Sequence, residues 1–248
     1  MSELEDEGAV TDAFQGLLMV CGWASRPDYG EGCLDLMRRF GVTNPALTLM
    51  ASLFADPLTN ARVVGTEIQR KLAALPAEPN PSQAMHFASL GLAIPLSAKM
   101  RSALARFVLE AREGGPMMPA AVAVRVLSVH AFLTGEWDEA TRLADDAVEM
   151  SETDDHVVHA VASRFATALV AAGRGDVERC NATCAQMATW SGPRNVGYVQ
   201  RAVAHARTLA ALARCDYRAA SHHVRPFFEA PLAPGDLLHL LDPVEAAC

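Results

Sequence analysis

Two cysteines four residues apart, Cys180 and Cys184, lie in the stretch ERCNATCAQM (178–187). Thiolates bind a metal when more Cys or His side chains converge on them, and they cross-link when a partner thiol faces them. No CxxC or HxxxH pair accompanies this stretch, and four residues along one helix is too wide for a comfortable disulfide. Asn181-Ala182-Thr183, between the two thiols, fits the N-x-[ST] glycosylation pattern. A second cluster is Asp154-Asp155-His156 with His159. His156 and His159 would share a helix face and, with the aspartates, hold a divalent cation. The plainer reading is a solvated helix start with Asp155 as N-cap. His222 and His223 fall mid-helix on an exposed or groove-edge face. The chain has neither the G-x-S-x-G turn of a hydrolase nor the G-x-x-x-x-G-K-[ST] phosphate loop. No catalytic residue, cofactor or metal is expected.

The elements that carry these residues are helical. The 248 residues are 51% apolar and 20% charged, which suits a folded chain with a real core. Aromatics are only 6% and alternating β-branched runs are nearly absent, which argues against sheets. The net charge of −8 gives no electrostatic reason to bind a polyanion, so DNA contact is expected only through a domain absent from this chain. No apolar run approaches the ~20 residues of a membrane span. The acidic start, MSELEDEGAV, is unlike a secretory signal, so a cytoplasmic location with reduced thiols is expected, and the glycosylation pattern is then a chance match.

The chain repeats itself. At a spacing of 40 residues Ala140, Cys180 and Ala220 coincide, as do Ala144, Cys184 and Val224, and then Ala147, Met187 and Phe227. These are positions i, i+4 and i+7, one apolar helix face in each copy. Ahead of that face, Glu136, Asp176 and Asp216 align as helix starters, and Gly135, Gly175 and Cys215 mark the turn before them. Ser128, Ala168 and Thr208 align as small residues where two antiparallel helices approach closely. Cys180 and Cys184 therefore read as packing residues, since buried cysteine behaves as a small hydrophobe. Upstream, Ala98, Ser102 and Ala105 are expected to continue the face, and Ala61, Gly65 and Ile68 to continue it again.

About six helix pairs follow. First helices are expected near 11–24, 45–54, 82–92, 117–133, 157–172 and 196–213. Second helices are expected near 28–40, 57–74, 95–112, 137–150, 177–189 and 217–229. The chain reads as one repeat domain over 1–248, with a soft joint at the proline-rich 76–83 and an incomplete last repeat at 236–248. One helix pair cannot bury its apolar face alone, and stacking makes a continuous core.

Gly135-Glu136-Trp137-Asp138-Glu139-Ala140 matches the G-x-[WY]-x-x-A signature of tetratricopeptide repeats. The stretch RGDVERC (174–180) and the end, DYRAASHHVRPFFEAPLAPGDLLHLLDPVEAAC (216–248), resemble the helical-repeat region of large ATP-binding LuxR-type transcription regulators, of which the maltose regulator is the archetype. The resemblance covers most of 45–248. It implies an all-α, right-handed superhelix of stacked antiparallel helix pairs, a tetratricopeptide-like solenoid. It also implies a non-catalytic sensor of an inducer or partner. In that family a nucleotide-binding module precedes the repeats and a helix-turn-helix follows them, so this chain reads as a middle segment. The period of 40 exceeds the usual tetratricopeptide length of about 34. The alternative is a free-standing adaptor that docks a protein tail.

Either way the first helices line the concave side. Register sets Arg125, Val129 and Phe132 there, then Phe165, Leu169 and Ala172, then His205, Leu209 and Leu212. Arg125, Arg164, Arg201 and His205 would give the groove positive character inside an acidic protein, suiting an anionic ligand or an acidic peptide tail. Ordinary pairing with neighbouring acids on the helix surface explains the same residues. The expected binding residues are Arg125, Phe132, Arg164, Phe165, Arg201 and His205, and the expected partner is a protein or a small-molecule effector. Self-association stays open.

Overall fold

Three times, at intervals of 40 residues, the chain makes the same turn, and its geometry follows from three residue types. Gly135, Gly175 and Cys215 sit at φ +84, +75 and +55, the left-handed region that ends a helix. The next amide then reaches back to a carbonyl of the last helical turn. Glu136 N–H donates to Ala131 O at 2.8 Å, Asp176 N–H to Ala171 O at 2.9 Å and Asp216 N–H to Ala211 O at 2.9 Å. The acidic residue starts the following helix. The Asp176 carboxylate accepts from Arg179 N–H at 3.1 Å, and Asp216 accepts from Ala219 N–H at 3.0 Å. Asp56 does the same for Thr59, 120 residues before Asp176.

The computed structural model describes residues 3–73, 96–153, 156–229, 231–239 and 241–247. The described residues are mostly helical, without a strand. The helices are α1 (Glu3–Ala24), α2 (Pro27–Arg39), α3 (Pro45–Ala55), α4 (Pro57–Ala73), α5 (Ala98–Arg112), α6 (Met117–Leu133) and α7 (Trp137–Thr153). They continue as α8 (Val157–Gly173), α9 (Val177–Ser191), α10 (Gly197–Leu212), α11 (Tyr217–Glu229) and α12 (Leu241–Ala247), with 3-10 turns at Gly192–Arg194 and Pro234–His239. The first helix expected near 82–92 and the joint at 76–83 lie outside the described residues. None of the described helices is long and apolar enough to cross a membrane.

The second-helix face is buried as its period requires. Ala140, Ala144 and Ala147 of α7, Cys180, Cys184 and Met187 of α9, and Ala220, Val224 and Phe227 of α11 are all in the core. In α5 the expectation was wrong: Ala98, Ser102 and Ala105 are exposed, and Met100, Leu104 and Phe107 are buried. Those three precede Ala140, Ala144 and Ala147 by 40 residues each, so the period continues without drift. Likewise in α4 Val64 is in the core while Ala61 and Gly65 are half-buried, and the Ile68 side chain lies outside the described ones. Small residues matched small residues in the sequence, whereas burial favours the larger side chains.

Ser128, Ala168 and Thr208 are fully buried. The hydroxyls satisfy themselves, Ser128 donating to Arg125 O at 2.7 Å and Thr208 to Ala204 O at 2.9 Å, so both act as small apolar residues. Consecutive helices from α5 to α11 pack on one another, and α8 also packs on α6 and α10. At the other end α1 packs on α2 and α3. Two contacts among the described residues join the ends of the chain to distant helices. The end of α1 packs on α10, and the Pro234–His239 turn touches both α4 and α10. The N-terminal helix and the C-terminal turn thus both meet the row of first helices.

Candidate functional site

Because α6, α8 and α10 run side by side, residues 40 apart in sequence become neighbours in space. Arg125, Phe165 and His205 form one such row, all buried. The end of α1 covers its Arg125 end. The Arg125 guanidinium, 2% exposed, lies 5.2 Å from the Trp23 ring and 5.4 Å from the Tyr198 ring. Trp23 and Tyr198 meet edge to face at 5.5 Å. Trp23 also meets the His159 ring edge-on at 4.9 Å. Gly197 permits this closure: a Cβ there would lie 2.1 Å from the Ala24 carbonyl oxygen.

The electrostatics of this cluster are unusual. Arg125 Nε and Nη1 and His159 Nδ1 are buried without a hydrogen-bond partner. Burial pushes the Arg125 pKa down from its ordinary value, opposed only by Tyr198. Burial, then the charges of Arg125 and His156, push His159 down to about 3, so its ring is neutral. Beside the guanidinium is a partly open cavity of about 70 Å³, lined by Leu18, Gly22, Trp23, Met50, Leu53 and Phe54, with Tyr198 and Pro234 at its side.

Arg201 and His205, also on α10, already meet carboxylates of the chain's own C-terminal segment. Arg201 pairs with Asp236 at two points, and both side chains are nearly buried. The Asp236 carboxylate also accepts from Ala233 N–H at 2.7 Å. The Arg201 guanidinium lies 4.9 Å over the Phe227 ring. His205 Nε2 lies 2.6 Å from an Asp242 oxygen, and its ring packs against Phe165 and Phe227.

The six expected binding residues therefore do not line one open positive groove. Arg125, Phe165, Arg201 and His205 share a covered interior. Arg164 is half-buried on another side of α8, 3.1 Å from Glu152, in a cleft with Asp145, Glu149 and Gln186. Phe132 stacks on Trp137 at 6.0 Å, and Trp137 Nε1 donates to Phe132 O, so it packs the turn after α6. Sequence reasoning missed Trp23, Tyr198, Asp236 and Asp242, since none carries a periodic signal. Among the described residues no three His, Cys, Asp or Glu side chains are placed to share a metal ion. Asp154 and Asp155 lie outside the described residues, while His159 turns inward to Trp23. Cys180 and Cys184 point at the Ala206 and Val203 carbonyls of α10. A second buried thiol pair, Cys21 and Cys33, lies 3.4 Å apart, and burial pushes Cys21 up to about 12.

Compared with known proteins, the chain matches no family model, no curated protein and no solved structure.

Proposed function

We propose that this chain is a helical-repeat sensor and interaction scaffold of the kind that forms the middle of LuxR-type regulators. Its helix pairs stack into a right-handed superhelix whose concave side, built from the first helices, takes a small effector or a partner. One observation carries the reading. The register of 40 residues governs the turns at Gly135, Gly175 and Cys215 and the buried faces of α5, α7, α9 and α11 alike. Such a design suits binding, because stacked repeats present a long continuous surface. The restraint of an activator until its effector arrives belongs to the same reading, as does a cytoplasmic location.

A second reading is favoured by Asp236 and Asp242, which bring carboxylates onto Arg201 and His205. A first-helix row that accepts acids from its own chain suits a free-standing adaptor for an acidic protein tail. The test is to read the DNA on both sides of the coding region. A phosphate-loop sequence upstream and a helix-turn-helix downstream support the regulator. Absence of both removes it and leaves the adaptor.

A further inference from the structure

We propose that the cavity beside Trp23 binds a short aliphatic monocarboxylate, its anionic head on Arg125 and its tail among Leu18, Met50, Leu53 and Phe54. The inference deepens the sensor reading and rests on it for its biological meaning. Buried polar groups are almost always hydrogen-bonded, yet two donors of this guanidinium have no acceptor. Among the described residues no Asp or Glu pairs with it. An uncompensated buried charge is strongly unfavourable, and an incoming acceptor removes that cost. Arg201, 76 residues further on, has the complement that Arg125 lacks: its own carboxylate, from Asp236.

The walls select the rest of the ligand. One guanidinium beside a neutral His159 offers a single positive charge, which matches a monoanion. A phosphate, with more acceptors and more charge, would leave most of its oxygens against Leu18, Met50, Leu53 and Phe54. An amine is repelled, and an alcohol leaves the guanidinium charge uncompensated. A cavity of about 70 Å³ has space for about five water-sized groups, the bulk of an acid of three to five carbons. The guanidinium is 2% exposed, with the Trp23 and Tyr198 rings 5.2 and 5.4 Å away, and a charge so deeply buried is screened less than one in water, which strengthens an ion pair.

The test is calorimetric titration of the full chain with sodium butyrate against sodium chloride at equal ionic strength. Saturable one-to-one binding is expected, with a raised melting temperature, and none with 1-butanol, butylammonium chloride or inorganic phosphate. Arg125→Met should keep its helical circular dichroism and bind butyrate at least roughly tenfold more weakly, the loss expected for a hydrogen bond to a charged group. If that variant does not fold, Leu53→Phe fills the cavity with Arg125 intact and should abolish binding. No saturable signal up to about 10 mM butyrate overturns the inference, that being weaker than a specific small-ligand site. Unchanged binding in either folded variant, or phosphate binding as well as butyrate, overturns it equally. None of these results touches the repeat-scaffold reading, which stands or falls on the flanking DNA.

Discussion

Arg201 and Asp236 are joined at two points, Arg201 Nε donating to Oδ1 at 3.0 Å and Nη2 donating to Oδ2, with both side chains nearly buried. The pair ties α10 to the turn at Pro234–His239. Removing one member leaves the other charged and buried, which costs about 3–5 kcal/mol in such pairs. Asp236→Ala should therefore lower unfolding free energy in urea by about that amount. Arg201→Met combined with Asp236→Leu should recover most of the loss, because the replaced pair is apolar on both sides. A loss under about 1 kcal/mol in Asp236→Ala, the level of an exposed pair, would mean that the turn does not dock on α10.

His159 predicts acid sensitivity. Its ring is held neutral in the fold, with a pKa pushed down to about 3 by burial and by the charges of Arg125 and His156, while Trp23 meets it edge-on. In the unfolded chain it titrates near its ordinary 6.5. Protons thus favour the unfolded chain between those two values. Stability is full above about pH 6.5 and falls as pH drops toward 3. The slope is about 1.4 kcal/mol per pH unit, hence roughly 2 kcal/mol lost by pH 5. Partial burial lowers His130 and His223 too, adding a shallower slope of the same sign. Urea midpoints at pH 7 and pH 5 should separate widely for the natural chain and much less for His159→Leu. Equal separation in both would show that the ring is wet.

The same two sites show what a sequence can and cannot reveal. The helices, their turns and the face at Ala140, Cys180 and Ala220 were legible because each is local or repeats at a fixed interval. Helix periodicity and turn chemistry act over a few residues, and stacking needs only the next pair. The covering of Arg125 by Trp23 was not legible. It joins residues a hundred positions apart, and no period predicts it. Arg201 and His205 read as free groove charge for the same reason, since Asp236 and Asp242 come from a segment outside the repeat. In α5 a search for small residues chose Ala98 and Ala105 over Met100 and Leu104, because side-chain size, unlike apolar spacing, varies between copies.

Cys215 occupies the turn position that glycine fills at 135 and 175, at φ +55 and exposed. A side chain in the left-handed region costs about 1–2 kcal/mol, of which glycine's extra freedom in the unfolded chain returns a part. Cys215→Gly should thus stabilise the protein by about 0.5–1 kcal/mol in chemical denaturation. The reciprocal Gly175→Ala, at φ +75, should destabilise it by a similar amount, although a Cβ there meets no atom within 4 Å. A destabilised Cys215→Gly would show that the thiol makes a favourable contact at this turn.

Gly197 tests whether α1 closes over the first helices in solution. A Cβ at this position would sit 2.1 Å from the Ala24 oxygen and 3.2 Å from Ser25 Cβ. Backbone cannot yield as a flexible side chain can, so Gly197→Ala must push the end of α1 off α10. Overpacking of this kind costs about 1–3 kcal/mol. Trp23 would lose its contacts with Tyr198, His159 and Arg125 and become wetter. With Trp137 and Trp190 replaced by Phe, the remaining emission should shift to the red in Gly197→Ala, and melting should fall. Gly16→Ala is the matched control on the exposed side of α1, where a Cβ meets no atom within 4 Å, and should raise helix stability by up to about 1 kcal/mol. Were Gly197→Ala to melt and emit like its parent, α1 would stand away from α10, and Arg125 would face water rather than the Trp23 ring.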